Sequence, residues 1–161
     1  MKVGVISDTH DNLLKIDRAI EVFRAQQVEA VLHAGDFVSP FAVRRLLEGL
    51  NVPLYGVFGN NDGDRWLLKS LLGERVYQSF ALLEFGPYKV FLTHDLPERS
   101  HGLFEGGSVR AVVFGHTHTP YLKEEKGVIF LNPGEACGWL TGKATIALLD
   151  LRGQKAEIIQ I

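Results

Sequence analysis

Lys2-Val3-Gly4-Val5-Ile6-Ser7-Asp8-Thr9-His10 decides the reading of this chain. A short apolar run without a polar face is a strand buried on both sides. This one ends abruptly on a carboxylate and an imidazole two residues apart. The same event recurs downstream. Ala30-Val31-Leu32-His33 runs into Gly35-Asp36, and Val52 to Phe58 runs into Gly59-Asn60-Asn61-Asp62. Val90-Phe91-Leu92-Thr93 closes on His94, and Ala111 to Phe114 closes on Gly115-His116-Thr117-His118. Two Asp, one Asn and four His thus stand as seven candidate ligands at the ends of successive strands. Such a donor set points to two metal ions and to hydrolytic chemistry, most often at phosphorus.

The segments between these strands read as helices. Leu13, Ile16, Ile20 and Phe23 recur at helical spacing, with Asp11 or Asn12 as the cap. Ser39-Pro40 is an N-cap followed by proline at the first helical position, and Val43, Leu46, Leu47 and Leu50 form the buried stripe. A third helix is expected over Asp62 to Leu72, capped by Asp62, packed by Leu67, Leu68, Leu71 and Leu72, and stopped by Gly73. Strand-helix alternation of this kind builds a parallel sheet with right-handed crossovers. Beyond Gly73 the pattern is mainly strand: Ser79 to Phe85, Tyr88 to Thr93, Ala111 to Phe114, Tyr121 to Glu124, Val128 to Leu131, Lys143 to Asp150 and Gln154 to Ile161. Gly86-Pro87 and Lys126-Gly127 carry hairpin-turn chemistry, and a helix or irregular loop fills Pro97 to Gly107. Two packed sheets with helices outside would bury both halves. Ligands of such sheets gather beyond the carboxyl ends of the strands, where the seven donors lie.

Composition narrows the function classes. The 161 residues suit one domain over 1–161, with 46% apolar and 22% charged residues. A net charge of −2 with no Lys/Arg block argues against long nucleic acid as a partner. Cys137 is the sole cysteine, which excludes an internal disulfide and a cysteine zinc cluster. No apolar run approaches the roughly 18–20 residues that span a bilayer, and the first residues carry no signal-peptide pattern. The expected compartment is the cytoplasm, with no membrane partner.

Chemistry needs these types at these spacings. Side chains two apart on an extended segment share a face, so Asp8 and His10 can reach one ion, as can His116 and His118. Gly35 and Gly59 allow sharp exits from their strands and leave room for ions and substrate. The two oxygens of Asp36 can bridge a metal pair, and Asn60 can ligate through its amide oxygen. Two divalent ions bring about +4; Asp8 and Asp36 remove two, leaving roughly +2 for hydroxide and an anionic substrate. Four imidazoles favour Mn, Fe, Ni, Co or Zn over Mg, with Mn the first expectation.

The ordered set Asp8-x-His10, Gly35-Asp36, Gly59-Asn60-x-Asp62, His94, Gly115-His116-x-His118 resembles the calcineurin-like metallophosphoesterase superfamily. Ser7-Asp8-Thr9-His10, Leu131-Asn132-Pro133-Gly134 and the short length make it most similar to the small bacterial and archaeal phosphodiesterase branch. The resemblance spans about residues 2 to 150. It implies a four-layer α/β/β/α sandwich of two mixed sheets with flanking helices. It implies a first metal on Asp8, His10, Asp36 and His118, and a second on Asp36, Asn60, His94 and His116. Asp36 is shared, and His116 and His118 can exchange ions without changing the chemistry. A hydroxide bridging the metals would attack phosphorus in line, with Asp36, Asn60 and His94 serving catalysis. The chain departs from the family where Asn61 replaces the histidine that assists the leaving group in many relatives. An amide cannot act as a general acid, so good leaving groups or a metal-bound water are expected. Asp95 stands where glycine is common, and Glu135 replaces the serine of an Asn-Pro-Gly-Ser run. Glu135 is expected to add negative charge near the pocket.

His33 is either a residue fixing Asp36 or another ligand, or a buried hydrogen-bonded core histidine. His101 is expected exposed, Cys137 buried, Trp66 packed, and Trp139 at a subunit contact. The main expectation is a metal-dependent phosphodiesterase on a small phosphodiester or nucleotide, in a small homo-oligomer. The alternatives are a protein-binding scaffold of the same fold, and a nuclease, phosphoprotein phosphatase or dinucleoside polyphosphate hydrolase.

Overall fold

A computed structural model describes residues 1–104 and 106–161, with Glu98 described by its backbone alone. Its first sheet grows from the alternation read in the sequence. Strands β1 (Lys2–Ile6), β2 (Ala30–His33) and β3 (Leu54–Val57) pair in parallel, joined by helices α1 (Leu13–Ala25) and α2 (Pro40–Gly49). Helix α3 (Arg65–Leu72) leads to a two-residue strand, β4 (Val76–Tyr77), that the sequence did not announce. Val3, Val5 and Leu32 face the second sheet, while Ile6, Val31 and Leu54 face the helices. Burial on both faces explains why these strands carry no polar alternation. Gly4 is needed for close approach: a Cβ there would lie 2.7 Å from the Phe23 ring of α1.

The second sheet holds β5 (Phe80–Phe85), β6 (Tyr88–Thr93), β7 (Val109–Val113), β8 (Tyr121–Glu125) and β9 (Val128–Asn132), in the order β5-β6-β7-β9-β8. The last strands, β10 (Thr145–Asp150) and β11 (Lys155–Gln160), return to the first sheet and extend it antiparallel, giving β11-β10-β1-β2-β3-β4. One apolar core lies under the helices and a second between the sheets. A third covers the outer face of the second sheet, where Val112, Phe114, Val128 and Phe130 meet Phe104 of a 3-10 run over Glu98–Phe104. The α/β sandwich of two mixed sheets with flanking helices is therefore as expected, and its fourth layer is this short 3-10 run. Glu105, within the stretch expected as helix or loop, lies outside the described residues.

Register positions the site. Ile6 pairs with His33 and His33 with Gly56, so β1, β2 and β3 end level. Leu92 pairs with Val113 and Val113 with Leu131, so β6, β7 and β9 end level too. Gly115 N–H donates to the His94 carbonyl, which continues the pairing of β7 with β6 past the strand ends, and Ala136 N–H donates to the Ser7 carbonyl, which stitches the ends of the two sheets together.

Several local expectations need correction. α3 begins at Arg65, not Asp62; its cap is Asp64, whose carboxylate accepts from Leu67 N–H. Of the two cap candidates for α1, Asn12 is the one used, its side chain accepting from Lys15 N–H. Leu13, read into the buried stripe of α1, is 40% exposed in its first turn, ahead of the packed residues. Trp66 is 80% exposed rather than packed, because Leu68 and Leu72 define the inward face of α3. His101 is not an exposed loop residue: its ring stacks on Phe130 with centroids 4.0 Å apart, and only 11% of its side chain is open.

Candidate metal centre

The chain turns sharply as it leaves β1, β2 and β7. Asp8, His10, Asp36, His116 and His118 all have positive φ, between 37° and 69°. The idea that an extended backbone brings Asp8 to His10, and His116 to His118, is therefore wrong. Left-handed turns do it instead, at a cost of order 1 kcal/mol per residue. Hydrogen bonds hold the turns: Asp8 N–H donates to the Gly35 carbonyl, and Thr9 and His10 N–H both donate to the Asp36 carbonyl. Strain concentrated on five of seven candidate ligands is the kind of local cost that a site imposes.

The seven donors meet in two adjoining groups. Ligand atoms of Asp8, His10, Asp36 and His118 all lie within 4.8 Å of one another. His118 Nε2 is 3.5 Å from Asp8 Oδ1, and His10 Nε2 is 3.4 Å from Asp36 Oδ2. On the other side of Asp36, Asn60 Oδ1 lies 2.9 Å from His94 Nε2 and 3.0 Å from His116 Nδ1. Asp36 Oδ2 is also 3.6 Å from His94 Nε2, so one oxygen faces both groups. The glycines beside these residues are a matter of space. A Cβ at Gly59 would lie 2.1 Å from Asp36 Oδ1, at Gly35 2.5 Å from His94 Nδ1, and at Gly115 2.8 Å from Asp8 Oδ2.

A second layer fixes the rings. His94 Nδ1 donates to the Ala34 carbonyl at 2.7 Å, which leaves its Nε2 lone pair inward. His118 Nδ1 donates to Glu135 Oε2 at 2.9 Å, with the same result. Glu135 is thus fully buried behind His118 and does not face the pocket, contrary to the expectation of added negative charge there. Burial pushes its carboxyl up, but the His118 ring and the donors of Thr141 and Leu140 outweigh that and hold it at about 2. The Cys137 thiol, buried as expected, donates to the same carboxylate; burial first, then Glu135, push it up to about 12. His33 is wholly buried and stacked on Phe37; it bonds Thr9 Oγ1 and Gly35 N–H and touches Asp36 only through Thr9. Asn61 donates its side-chain amide to Asp36 Oδ2 at 2.7 Å and its N–H to Oδ1 at 2.8 Å.

Two supporting residues escaped sequence reasoning. The buried Asp62 carboxylate accepts from the N–H groups of Asp36, Val38 and Gly59, tying the turn after β2 to the turn after β3. Asn132 donates to the Gly115 carbonyl and Thr117 Oγ1, which braces the turn carrying His116 and His118. Both stand in runs already singled out, Gly59-Asn60-Asn61-Asp62 and Leu131-Asn132-Pro133-Gly134, and position in those runs is the available signal. Trp139 is exposed, and its indole N–H donates to the His10 carbonyl at 3.4 Å.

The residues present fit a pair of divalent cations. Asp8 Oδ1 and His10 Nε2 are buried with no hydrogen-bond partner. His94 Nε2 and His116 Nδ1 converge on Asn60 Oδ1 at 2.9 and 3.0 Å, a cluster of nitrogen and oxygen donors that one cation can share. Burial pushes the Asp8 carboxyl above the usual range, and a bound cation opposes that shift. No helix is long and apolar enough to cross a membrane among the described residues.

The chain also has relatives among known proteins. The family model described as calcineurin-like phosphoesterase superfamily domain matches residues 1–154. A phosphodiesterase of Methanocaldococcus jannaschii is 41% identical over 155 residues, covering 93% of each chain. A probable metallophosphoesterase of Methanothermobacter thermautotrophicus is 35% identical over 173 residues, covering 99% of this chain and 92% of its own. The solved structure of an archaeal phosphodiesterase superposes with a TM-score of 0.91 at 39% identity, covering 100% of both chains.

Proposed function

The chain belongs to the calcineurin-like phosphoesterase superfamily, and from that premise we propose that it is a phosphodiesterase whose cations sit on Asp8, His10, Asp36 and His118 and on Asp36, Asn60, His94 and His116. The observation that carries this reading is Asp36 Oδ2, which lies 3.4 Å from His10 Nε2 and 3.6 Å from His94 Nε2 and so faces both groups. When bound, the two cations supply a deprotonated water for attack at phosphorus and offset charge on the phosphate oxygens. Manganese is the first metal to test, then Fe, Co, Ni and Zn.

The residues divide the remaining work. Asp36 holds the two groups together, and His94 and His118 present Nε2 because their Nδ1 protons are committed to Ala34 and Glu135. Asn61 is turned onto the Asp36 carboxylate and has no acidic proton to give. The leaving oxygen therefore departs without a side-chain acid at that position, which favours esters of acidic alcohols and phenols. Asn60 and His116 are exposed, so an ester with two substituents can reach the site from solvent. A small phosphodiester or nucleotide is the substrate class we favour. Convergence of all seven donors argues against a scaffold of the same fold, which has no need of them.

The test is direct. With Mn²⁺ the full chain should cleave bis(p-nitrophenyl) phosphate, and Asp36→Ala should lose both turnover and bound metal. Trp66→Ala, altering an 80%-exposed ring on α3, should change neither. Full activity in Asp36→Ala, or equal loss in both variants, would refute the proposal.

A further inference from the structure

Glu135 is a buried acid set behind the ligands, in contact with His118. It follows the Gly134 turn and is fully enclosed. Oε2 accepts from His118 Nδ1 at 2.9 Å, Cys137 Sγ at 3.1 Å and Leu140 N–H at 3.1 Å. Oε1 accepts from Leu140 N–H at 3.0 Å, from Thr141 N–H and from Thr141 Oγ1 at 2.7 Å. Every one of these partners is a donor, and only a carboxylate accepts at both ends. An amide fails in either orientation, because its NH₂ must face His118 and Cys137 or face Leu140 and Thr141.

We propose that Glu135 is a positioning residue that sets the cation affinity of the Asp8, His10, Asp36 and His118 group by fixing the His118 ring. The inference rests on the metal reading given above. A free imidazole divides itself between two tautomers and two ring orientations. The bond to Glu135 selects the tautomer protonated at Nδ1 and turns Nε2 toward Asp8 Oδ1, 3.5 Å away. The ligand is in place before the ion arrives, so binding does not have to order it. The same carboxylate anchors the backbone of Leu140 and Thr141, on the loop whose Trp139 holds the His10 carbonyl. Removal of partners of this kind costs about 10–100-fold in metal affinity.

The experiment titrates chelator-stripped full chain with Co²⁺ alone, followed by calorimetry and visible absorption, for wild type, Glu135→Gln, His118→Ala and the double variant. Glu135→Gln should weaken the tighter Co²⁺ event about 10–100-fold and alter its absorption bands, with near-UV circular dichroism unchanged. In the His118→Ala background the same substitution should cost under about twofold, since the ring it acts through is gone. Wild-type affinity in Glu135→Gln, or an equal loss in both backgrounds, overturns the proposal. Should Glu135→Gln not fold, ¹⁵N shifts of wild-type, metal-free histidines decide: His118 protonated at Nδ1 supports it, and protonation at Nε2 overturns it. Wild type that takes up no Co²⁺ defeats the metal reading itself; wild type that binds and Glu135→Gln that binds equally defeats only the role of Glu135.

Discussion

Asp8 and Asp36 are buried and His10 and His118 half-buried, whereas Asn60 and His116, on the far side of the Asp36 carboxylate, stand exposed. The closed group is braced from behind by Glu135, Thr9 and His33. The open group has one ring, that of His94, anchored by a backbone carbonyl. The difference teaches how one carboxylate serves two tasks. Its closed side is organised before a cation binds, so little order has to be created there. Its open side leaves ligands that water and an incoming ester can reach. The closed side should hold its ion tightly and the open side should exchange it.

The sharpest way to break that contrast is to remove one imidazole from each side. Structural Zn²⁺ sites of four donors bind with about 10–16 kcal/mol, so for the more weakly held Mn²⁺ one donor is worth at most roughly 3 kcal/mol, or about 100-fold. His118→Ala should therefore weaken the tighter event in a Mn²⁺ titration about 100-fold, still measurably, and leave the weaker one unchanged. His116→Ala should do the reverse. Calorimetry separates the two, and identical loss of both events in each variant would show that the groups are not independent.

Asp62 tests what joins the two sides. Its carboxylate serves three backbone N–H groups, of Asp36, Val38 and Gly59. Asp62→Ala leaves those donors without a partner, at about 1–3 kcal/mol each before water enters the gap. A net loss of about 3 kcal/mol, or roughly 6–12 °C in Tm, is expected by thermal denaturation. A change of under about 1 °C would mean that the two turns hold their geometry without it.

The strand ends were legible because residue type and position coincide there. Apolar runs stop at Gly-Asp, Gly-Asn and Gly-His, and no core strand needs those residues. The caps Asn12 and Ser39, the stop at Gly73 and the turn at Lys126-Gly127 follow from local chemistry alone. What stayed hidden depends on partners distant in the chain. Glu135 reads as a charge near the pocket until His118 and Thr141 are folded around it. Asp62 reads as a helix cap because its backbone donors belong to another turn. The paths of Asp8 and His10 were misjudged because alternation holds only while the chain remains extended, and the site begins where it stops. Leu13 and Trp66 show the same limit from outside: helical periodicity fixes a face, and the sheet decides which end of it is covered.

His33 props the turn that carries the shared Asp36, and its titration reports on that turn. Gly35 N–H donates to Nδ1 at 3.2 Å, which assigns the ring proton to Nε2 and directs it to Thr9 Oγ1 at 3.0 Å. The Thr9 hydroxyl in turn donates a hydrogen bond to the Asp36 carbonyl. A second ring proton at Nδ1 would meet the Gly35 N–H head on. Burial, aided by the neighbouring His94 and His10 rings, holds the pKa of His33 well below 6.5. In the unfolded chain the ring takes up a proton below about 6.5, and the folded chain does not follow. The unfolded state then binds more protons, so acid drives unfolding, by at most about 1.4 kcal/mol per pH unit. His33→Gln should be less stable than wild type at pH 7.5, and the gap should narrow as the pH falls from about 6.5 to 5, because only wild type carries this linkage. Denaturation curves of both proteins in chelator across that range measure it. A gap constant with pH would mean that the folded ring protonates freely, and that the chain from Gly35 through His33 and Thr9 to Asp36 is looser than its hydrogen bonds imply.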